Sequence, residues 1–284
     1  ISANVFTSAA LCALFYFFSI AFGVLFGVYA LLCALASPMV WLYWAEARPY
    51  SLILFLTVLQ SLFLVMIARA SVVRTRLWAG LGLVNLLLAF TSYLSAIPIA
   101  ASALVFLSLK GKRLWKAALF SLAAPLAVAF FYYHQGLHEG YYGLWFTWKY
   151  ILDNLPLDRI AFFVFAGLFL GSLSLHRERP LPEEKAAAGY GVFAFTALAG
   201  VFLLFALVKA GENPAGTVIG LHSRFFIFLT PVGVVAQVLL MQVLVKQCVG
   251  DAWGKYLLAA AVLCLSIVAF INTSLQVLSG LKLL

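Results

Sequence analysis

Charged residues are scarce in this 284-residue sequence. Only 10% of the residues are charged, whereas 65% are hydrophobic. A soluble domain of this length needs far more charge on its water-facing surface, so the composition argues against a soluble enzyme or binding module. The sequence predicts an all-α fold, a polytopic transmembrane helical bundle that forms one transmembrane domain over residues 1–284.

Cysteine is also rare, and its spacing argues against a disulfide framework or a metal centre. The four cysteines, which have no CxxC spacing, are Cys12, Cys33, Cys248 and Cys264. We expect them to pack within apolar spans. The formal net charge of +9 does not indicate nucleic acid as a partner, because a soluble basic face is missing. It is instead typical of contact with membrane lipids at the inner leaflet.

Long apolar runs fill most of the sequence. A membrane span needs roughly 20 apolar residues, and the sequence supplies about ten such runs. Spans are predicted near 5–20, 23–43, 50–69, 77–92, 94–109, 114–133, 160–175, 189–208, 225–245 and 256–276. The run from Leu77 to Leu109 is too long for one crossing, and Ser92 with Pro98 favours a tight reversal within it.

Lysine and arginine predict the orientation of these spans, because they are enriched in cytoplasmic loops. One set of alternating loops contains twelve of them: Arg69, Arg74, Arg76, Lys110, Lys112, Arg113, Lys116, Arg177, Arg179, Lys185, Lys246 and Lys255. The other set contains six: Arg48, Lys149, Arg159, Lys209, Arg224 and Lys282. The first set is therefore predicted to be cytoplasmic, with residues 176–188 as a solvated cytoplasmic loop. Residues 210–224 form a predicted outer loop.

An aromatic-rich segment is predicted on the outer face. Residues 134–159 contain many large aromatic side chains and are expected to lie in the membrane interface, as a lid or rim over an outer cavity. His134 and His138 have the i,i+4 spacing of a zinc pair. Gly136 and Gly140 argue against a stable helix there, so no metal site is predicted.

The sequence Glu46-Ala-Arg48-Pro49-Tyr50 places ionisable groups beside apolar spans. Such groups are costly at the edge of a membrane, which makes them functional candidates. Pro49 suits the first turn of the following helix, so the preceding residues are predicted to form a crossover. Arg48 could hold a phosphate through two parallel hydrogen bonds. The alternative is an interfacial ion pair within an aromatic belt.

A second polar cluster, His222-Ser-Arg224, precedes a long apolar span. A cation at a helix start is electrostatically unfavourable, so Arg224 is expected to face an anion. That anion is either a nearby carboxylate or a phosphorylated ligand. In the sequence interpretation Pro231 lies about two turns into the span that follows.

These motifs resemble the bacterial GT-C glycosyltransferases, the broad group of protein mannosyltransferase-like and aminoarabinose transferase-like enzymes. Ser37-Pro38, Tyr43 and Glu46-Ala-Arg48-Pro-Tyr50-Ser51 are similar to that family's "SP…YSQEARMYAL" signature. Phe90-Thr-Ser-Tyr93 is similar to its "YTHY" turn, with Ser92 where histidine is usual. His222-Ser-Arg224 with Pro231 resembles its "RY…P" span.

The resemblance implies a GT-C-like fold and an inverting hexosyl- or pentosyltransferase. Its donor would be a sugar linked to polyprenyl phosphate, and its acceptor a glycan, a lipid or a protein. The active face would be periplasmic or extracellular on a bacterial inner (plasma) membrane. No organic cofactor is implied, and a divalent cation stays open. Carried onto this sequence, the roles are catalytic for Glu46, donor-phosphate-binding for Arg48 and Arg224, and substrate-binding for Tyr43, Tyr50, Tyr93 and His222.

The family usually takes its catalytic base from an acidic residue in the first outer loop. This sequence starts with Ile1 where the family's second span would be, so we expect the N-terminal span and first outer loop to precede it. Two other functions stay open. One is a transporter or lipid flippase, although transporters place charge near the midplane of repeated halves. The other is a non-catalytic membrane subunit of a larger complex.

Overall fold

The structure is a computed structural model, and its described residues are almost entirely helical. It describes residues 2–37, 40, 49–70, 74–110, 123, 125–128, 130–131, 182–207, 227–246, 253–264 and 266–267. None of them lies in a β-strand, so the all-α prediction is confirmed for this part of the chain.

The described residues include eight helices of 12 to 26 residues each. They are α1 Ser2–Phe22, α2 Val24–Leu35, α3 Tyr50–Arg69, α4 Thr75–Thr91, α5 Ala96–Lys110, α6 Pro182–Leu207, α7 Leu229–Leu244 and α8 Trp253–Cys264. Two stretches in them, Asn4–Phe22 and Tyr50–Arg69, are long and apolar enough to cross a membrane. By length and composition, these two helices are candidate membrane spans.

A single glycine turns the chain between α1 and α2. Gly23 has φ 106° and ψ 158°, a conformation that residues with a Cβ almost never adopt. Its amide donates to the Ser19 carbonyl over 3.0 Å, and its carbonyl accepts from the Phe26 amide over 2.9 Å. One turn further, a Cβ on Gly27 would lie 2.7 Å from the carbonyl oxygen of Phe15. Glycine therefore allows both the reversal and the close approach of α1 and α2.

Helix α3 lies at the centre of the bundle. It contacts α1, α4, α6 and α7, and 14 of its 20 residues are buried. The Phe6 and Phe55 rings, near the starts of α1 and α3, lie with their centres 6.0 Å apart and their planes tilted by 34°. At the other end, the guanidinium carbon of Arg69 lies 4.6 Å from the centre of the Phe22 ring. Helices α1 and α3 therefore run parallel. We call the end where α3 begins the Tyr50 end and the opposite one the Arg69 end.

Helix α4 runs back along α3. Gln60 on α3 bonds to Asn85 on α4, whereas Phe63, further along α3, meets the earlier residue Gly80. A Cβ on Gly80 would lie 2.5 Å from the tip of the Phe63 ring, so the two helices approach closely there. Later residues of α3 thus meet earlier residues of α4, so the two helices are antiparallel. Helix α4 therefore ends at the Tyr50 end of the bundle.

Helix α6 contacts α3, α5 and α7. A Cβ on Gly200 would lie 2.9 Å from Ile97, near the start of α5, and the Tyr190 hydroxyl donates to the Ser61 hydroxyl over 2.8 Å. Helix α7 packs against α2, α3 and α6, and Gln237 donates to the Tyr29 hydroxyl over 3.1 Å.

Two predicted spans have different helix bounds in the structure. The span 23–43 contains α2, which ends at Leu35, shortly before Pro38. Proline disfavours helical backbone in the residue before it and cannot donate to the turn before, which explains the early end. The span 189–208 is part of α6, which already begins at Pro182. Glu184 in its first turn is only 2% exposed, so this end of the predicted loop 176–188 is not solvated.

The cysteines divide into two kinds of environment. Cys33 is buried in α2, as the packing interpretation predicts, whereas Cys12 and Cys264 are exposed free thiols. The fourth, Cys248, lies outside the described residues, as do most of the spans predicted near 114–133 and 160–175.

Candidate functional site at the Tyr50 end

The motif with Glu46 and Arg48 lies in the sequence between α2 and α3. On one side the Ser37 amide donates to the Ala34 carbonyl over 3.1 Å, closing the last turn of α2. On the other side Pro49 caps α3, and its carbonyl accepts from the Ile53 amide over 2.9 Å. The predicted role of Pro49 at the start of this helix is confirmed. Between them, Tyr43, Glu46 and Arg48 lie outside the described residues.

Tyr50 is the predicted site residue whose side chain the structure describes. It is the first residue of α3 and is 7% exposed. Its ring is therefore enclosed by the bundle instead of facing the surroundings.

The α4–α5 turn also lies at the Tyr50 end, and its geometry comes from Ser92. Helix α4 ends at Thr91, Ser92 is extended (φ −161°, ψ 136°), and a short 3₁₀ helix, Tyr93–Ser95, leads into α5. The Ser92 hydroxyl accepts from the Leu94 amide over 3.2 Å, and its carbonyl accepts from the Ser95 amide over 3.1 Å. The predicted break at this point is confirmed. Ser92 thus has a local capping role in this turn.

Two predicted site elements therefore share one end of the bundle. The α2–α3 connection leads into Tyr50, and the antiparallel pairing of α3 and α4 places the turn that carries Tyr93 at the same end. Only the backbone of Tyr93 is described, so the placement concerns the turn and not the phenol ring.

The third predicted element, His222 and Arg224, lies outside the described residues. The helix after it begins at Leu229, and Ile227 and Phe228 before it are each 1% exposed. Pro231 is consequently in the first turn of α7 and not two turns into the span as predicted. A helix tolerates proline in its first turn, where the amide has no partner within the helix.

A polar cluster in the middle of the bundle was not predicted as a unit. The Gln60 side-chain amide donates to the Asn85 Oδ1 over 2.8 Å and to the Pro98 carbonyl over 3.3 Å. Asn85 in turn donates to the Ser102 hydroxyl over 3.4 Å, and that hydroxyl donates to the Ile99 carbonyl over 2.6 Å. Gln60, Asn85 and Ser102 are at most 1% exposed. Amide side chains within apolar spans were the available sequence signal, but their pairing cannot be deduced from it.

Charge is sparse among the described residues, and it lies near the helix ends. Arg69 is in the last turn of α3, where a cation interacts favourably with the helix dipole, and Glu184 is in the first turn of α6, where an anion does. In the described part of the chain, no group of three or more histidine, cysteine or acidic residues could hold a metal ion. His134 and His138 are outside that part.

Comparisons with protein-family models, curated proteins and solved structures found no match to this chain.

Proposed function

We propose that the chain is an integral membrane protein of about ten spans with a GT-C-like arrangement, in a bacterial inner membrane. Large apolar side chains on the outside of the described helices support this, because soluble proteins rarely expose many of them together. Examples are Tyr16 and Ile20, each 69% exposed, Val24 at 65% and Leu263 at 64%. Arg69, Arg74 and Arg76 favour a cytoplasmic Arg69 end, which makes the Tyr50 end the outer one.

We further propose that the protein is a glycosyltransferase acting at this outer end on a sugar linked to polyprenyl phosphate. One observation carries the proposal: the motif with Glu46 and Arg48 leads directly into Tyr50, at the start of the central helix, at the same end as the turn with Tyr93. Side chains from separate parts of the chain can converge there. An outer site next to lipid suits a donor with a polar head and a polyprenyl tail.

The proposed chemistry is an inverting displacement at the anomeric carbon. The acceptor hydroxyl oxygen forms a bond to that carbon from the face opposite the phosphate. The bond from the carbon to the phosphate oxygen breaks, and the phosphate leaves with the electron pair. Glu46 is proposed to orient the acceptor, and the proton of the acceptor hydroxyl passes to a carboxylate, either Glu46 or the acidic residue of the expected first outer loop. Arg48 and Arg224 are proposed to hold the departing phosphate, whose charge rises as the bond breaks.

A transfer assay distinguishes this proposal from the two other functions. Purified protein in lipid vesicles is given a panel of polyprenyl-phosphate sugars with labelled sugar groups, together with glycan, lipid and peptide acceptors. We expect label to enter one acceptor class and free polyprenyl phosphate to appear in equal amount. Movement of the labelled lipid across the bilayer without transfer would indicate a flippase. Neither movement nor transfer with any donor would favour a non-catalytic subunit.

Orientation can be tested separately by cysteine labelling. In a variant whose native cysteines are replaced by alanine, a cysteine at Asn213 should react with a membrane-impermeant maleimide in intact cells, because this loop is predicted outside. A cysteine at Lys112 should react only after the cells are opened. Labelling of Lys112 and protection of Asn213 in intact cells would reverse the proposed orientation.

A further inference from the structure

The two arms of the α4–α5 turn make little direct contact with each other. Helix α5 packs mainly against α6, and α4 packs mainly against α3. Close to the turn, the local hydrogen bonds of Ser92 and Thr91 shape the chain but do not reach another helix. Leu94 and Ser95 in the turn are buried, but the side-chain hydrogen bonds that join its two arms to α3 lie deeper in the bundle.

Gln60 makes that deeper connection. Its side-chain nitrogen donates both to Asn85 on α4 and to the Pro98 carbonyl on α5. Asn85 extends the link to Ser102, so one side chain on α3 is joined to both arms of the turn. All these groups are buried in apolar surroundings, where an amide gains much by keeping its partners and where water does not compete.

The Gln60 carbonyl oxygen has no hydrogen-bond partner among the described residues, although it is fully buried. The side chain thus uses its donors for α4 and α5 and leaves its acceptor unsatisfied. Packing alone would be served equally well by leucine, which has no such unsatisfied oxygen. The observed arrangement is the one expected if the two donated bonds have a positioning role.

We propose that Gln60 is a positioning residue, which fixes the α4–α5 turn with Tyr93 against the start of α3. The positioning of the turn by Gln60 is a property of the fold, whereas its effect on sugar transfer rests on the proposed function. Gln60 lies ten positions after Tyr50 on α3, about 15 Å from the helix start at 1.5 Å per residue. It would therefore act on the outer site through the turn and not by touching substrate.

Ser61 offers a matched control. It neighbours Gln60 on α3, is also 0% exposed, and accepts a hydrogen bond from another helix, but that helix is α6. Ser61→Ala removes a buried interhelical bond without touching the turn. A general loss of stability should therefore affect both variants, whereas loss of positioning should affect only Gln60→Leu.

The test is a distance between spin labels at Val5, near the start of α1, and Phe90, near the end of α4. Both side chains are exposed, at 58% and 55%, and the measurement needs no substrate. In full-length protein whose native cysteines are replaced, Gln60→Leu should broaden the distance distribution about twofold or shift its mean by several ångströms. Ser61→Ala should leave the distribution as in the parent protein. Asn85→Leu should reproduce the Gln60→Leu result and serves in its place if that variant does not fold.

An unchanged distance distribution in both Gln60→Leu and Asn85→Leu would overturn the positioning role of Gln60. The transfer assay adds a second readout, in which Gln60→Leu should lose activity at least about tenfold more than Ser61→Ala. If the distances change but the parent protein transfers no sugar to any acceptor, the positioning role of Gln60 is supported and the glycosyltransferase proposal fails. If the parent is active and the distances do not change, the reverse holds.

Discussion

Arg48→Lys is expected to remove most of the sugar-transfer activity, by about tenfold to a hundredfold, while the amount of folded protein in the membrane stays near normal. A guanidinium presents two parallel N–H groups to two phosphate oxygens, and an ammonium cannot reproduce this geometry. A factor of ten corresponds to about 1.4 kcal/mol of transition-state stabilisation, a modest share of a charge-assisted bidentate contact. Initial rates at saturating donor measure the effect.

The matched control is Arg74→Lys. Arg74 precedes α4 at the Arg69 end, away from the proposed site, and has the same charge and the same substitution. It should retain full activity. Full activity in Arg48→Lys as well would reduce the motif to a structural ion pair of the interface. Equal losses in both variants would indicate a general effect of arginine on membrane insertion.

Gly23→Ala is expected to lower the stability of the folded protein by about 1–3 kcal/mol, because the turn between α1 and α2 requires a backbone conformation that alanine avoids. The added methyl group itself would meet nothing within 4 Å, so the effect is conformational and not steric. Thermal unfolding in detergent, followed by the fraction that remains monodisperse after heating, measures it.

Gly82→Ala is the control for this change. Gly82 also has open space around an added Cβ, but it lies within α4 in ordinary helical backbone. The same substitution there should be neutral or should stabilise by about 0.5–1 kcal/mol, because alanine favours helix. If Gly23→Ala and Gly82→Ala behaved alike, the one-residue reversal at Gly23 would be wrong.

The positions of helices could be predicted from the sequence more readily than their neighbours could. Apolar runs and the polar break at Ser92 indicated several helices correctly, because backbone groups in apolar surroundings must pair within helices and polar clusters interrupt them. The helix ends that proline determines were harder to predict. The stop before Pro38 shortens α2, and Pro231 marks the first turn of α7 instead of its interior.

The central position of α3 could not be predicted, for a physical reason. Most helices here are apolar on all sides, so their sequences do not show which face meets another helix and which faces lipid. For the same reason, the partners of Gln60 were unknown until Asn85 and Pro98 were placed beside it. Of the candidate site, the position of Tyr50 and of the α4–α5 turn at one end of the bundle follows from helix pairing and not from any local pattern.

Photo-cross-linking of the donor lipid tests the central claim most directly. The probe is polyprenyl phosphate with a diazirine in the isoprene unit next to the phosphate, added to the purified protein in lipid nanodiscs, and the cross-linked peptides are identified by mass spectrometry. We predict adducts in the segment 41–50 and in the segment 220–226, both lost when excess polyprenyl phosphate competes and both reduced in Arg48→Lys. Adducts spread over the lipid-facing helices, unaffected by competition or by Arg48→Lys, would contradict a shared donor-phosphate site at the Tyr50 end.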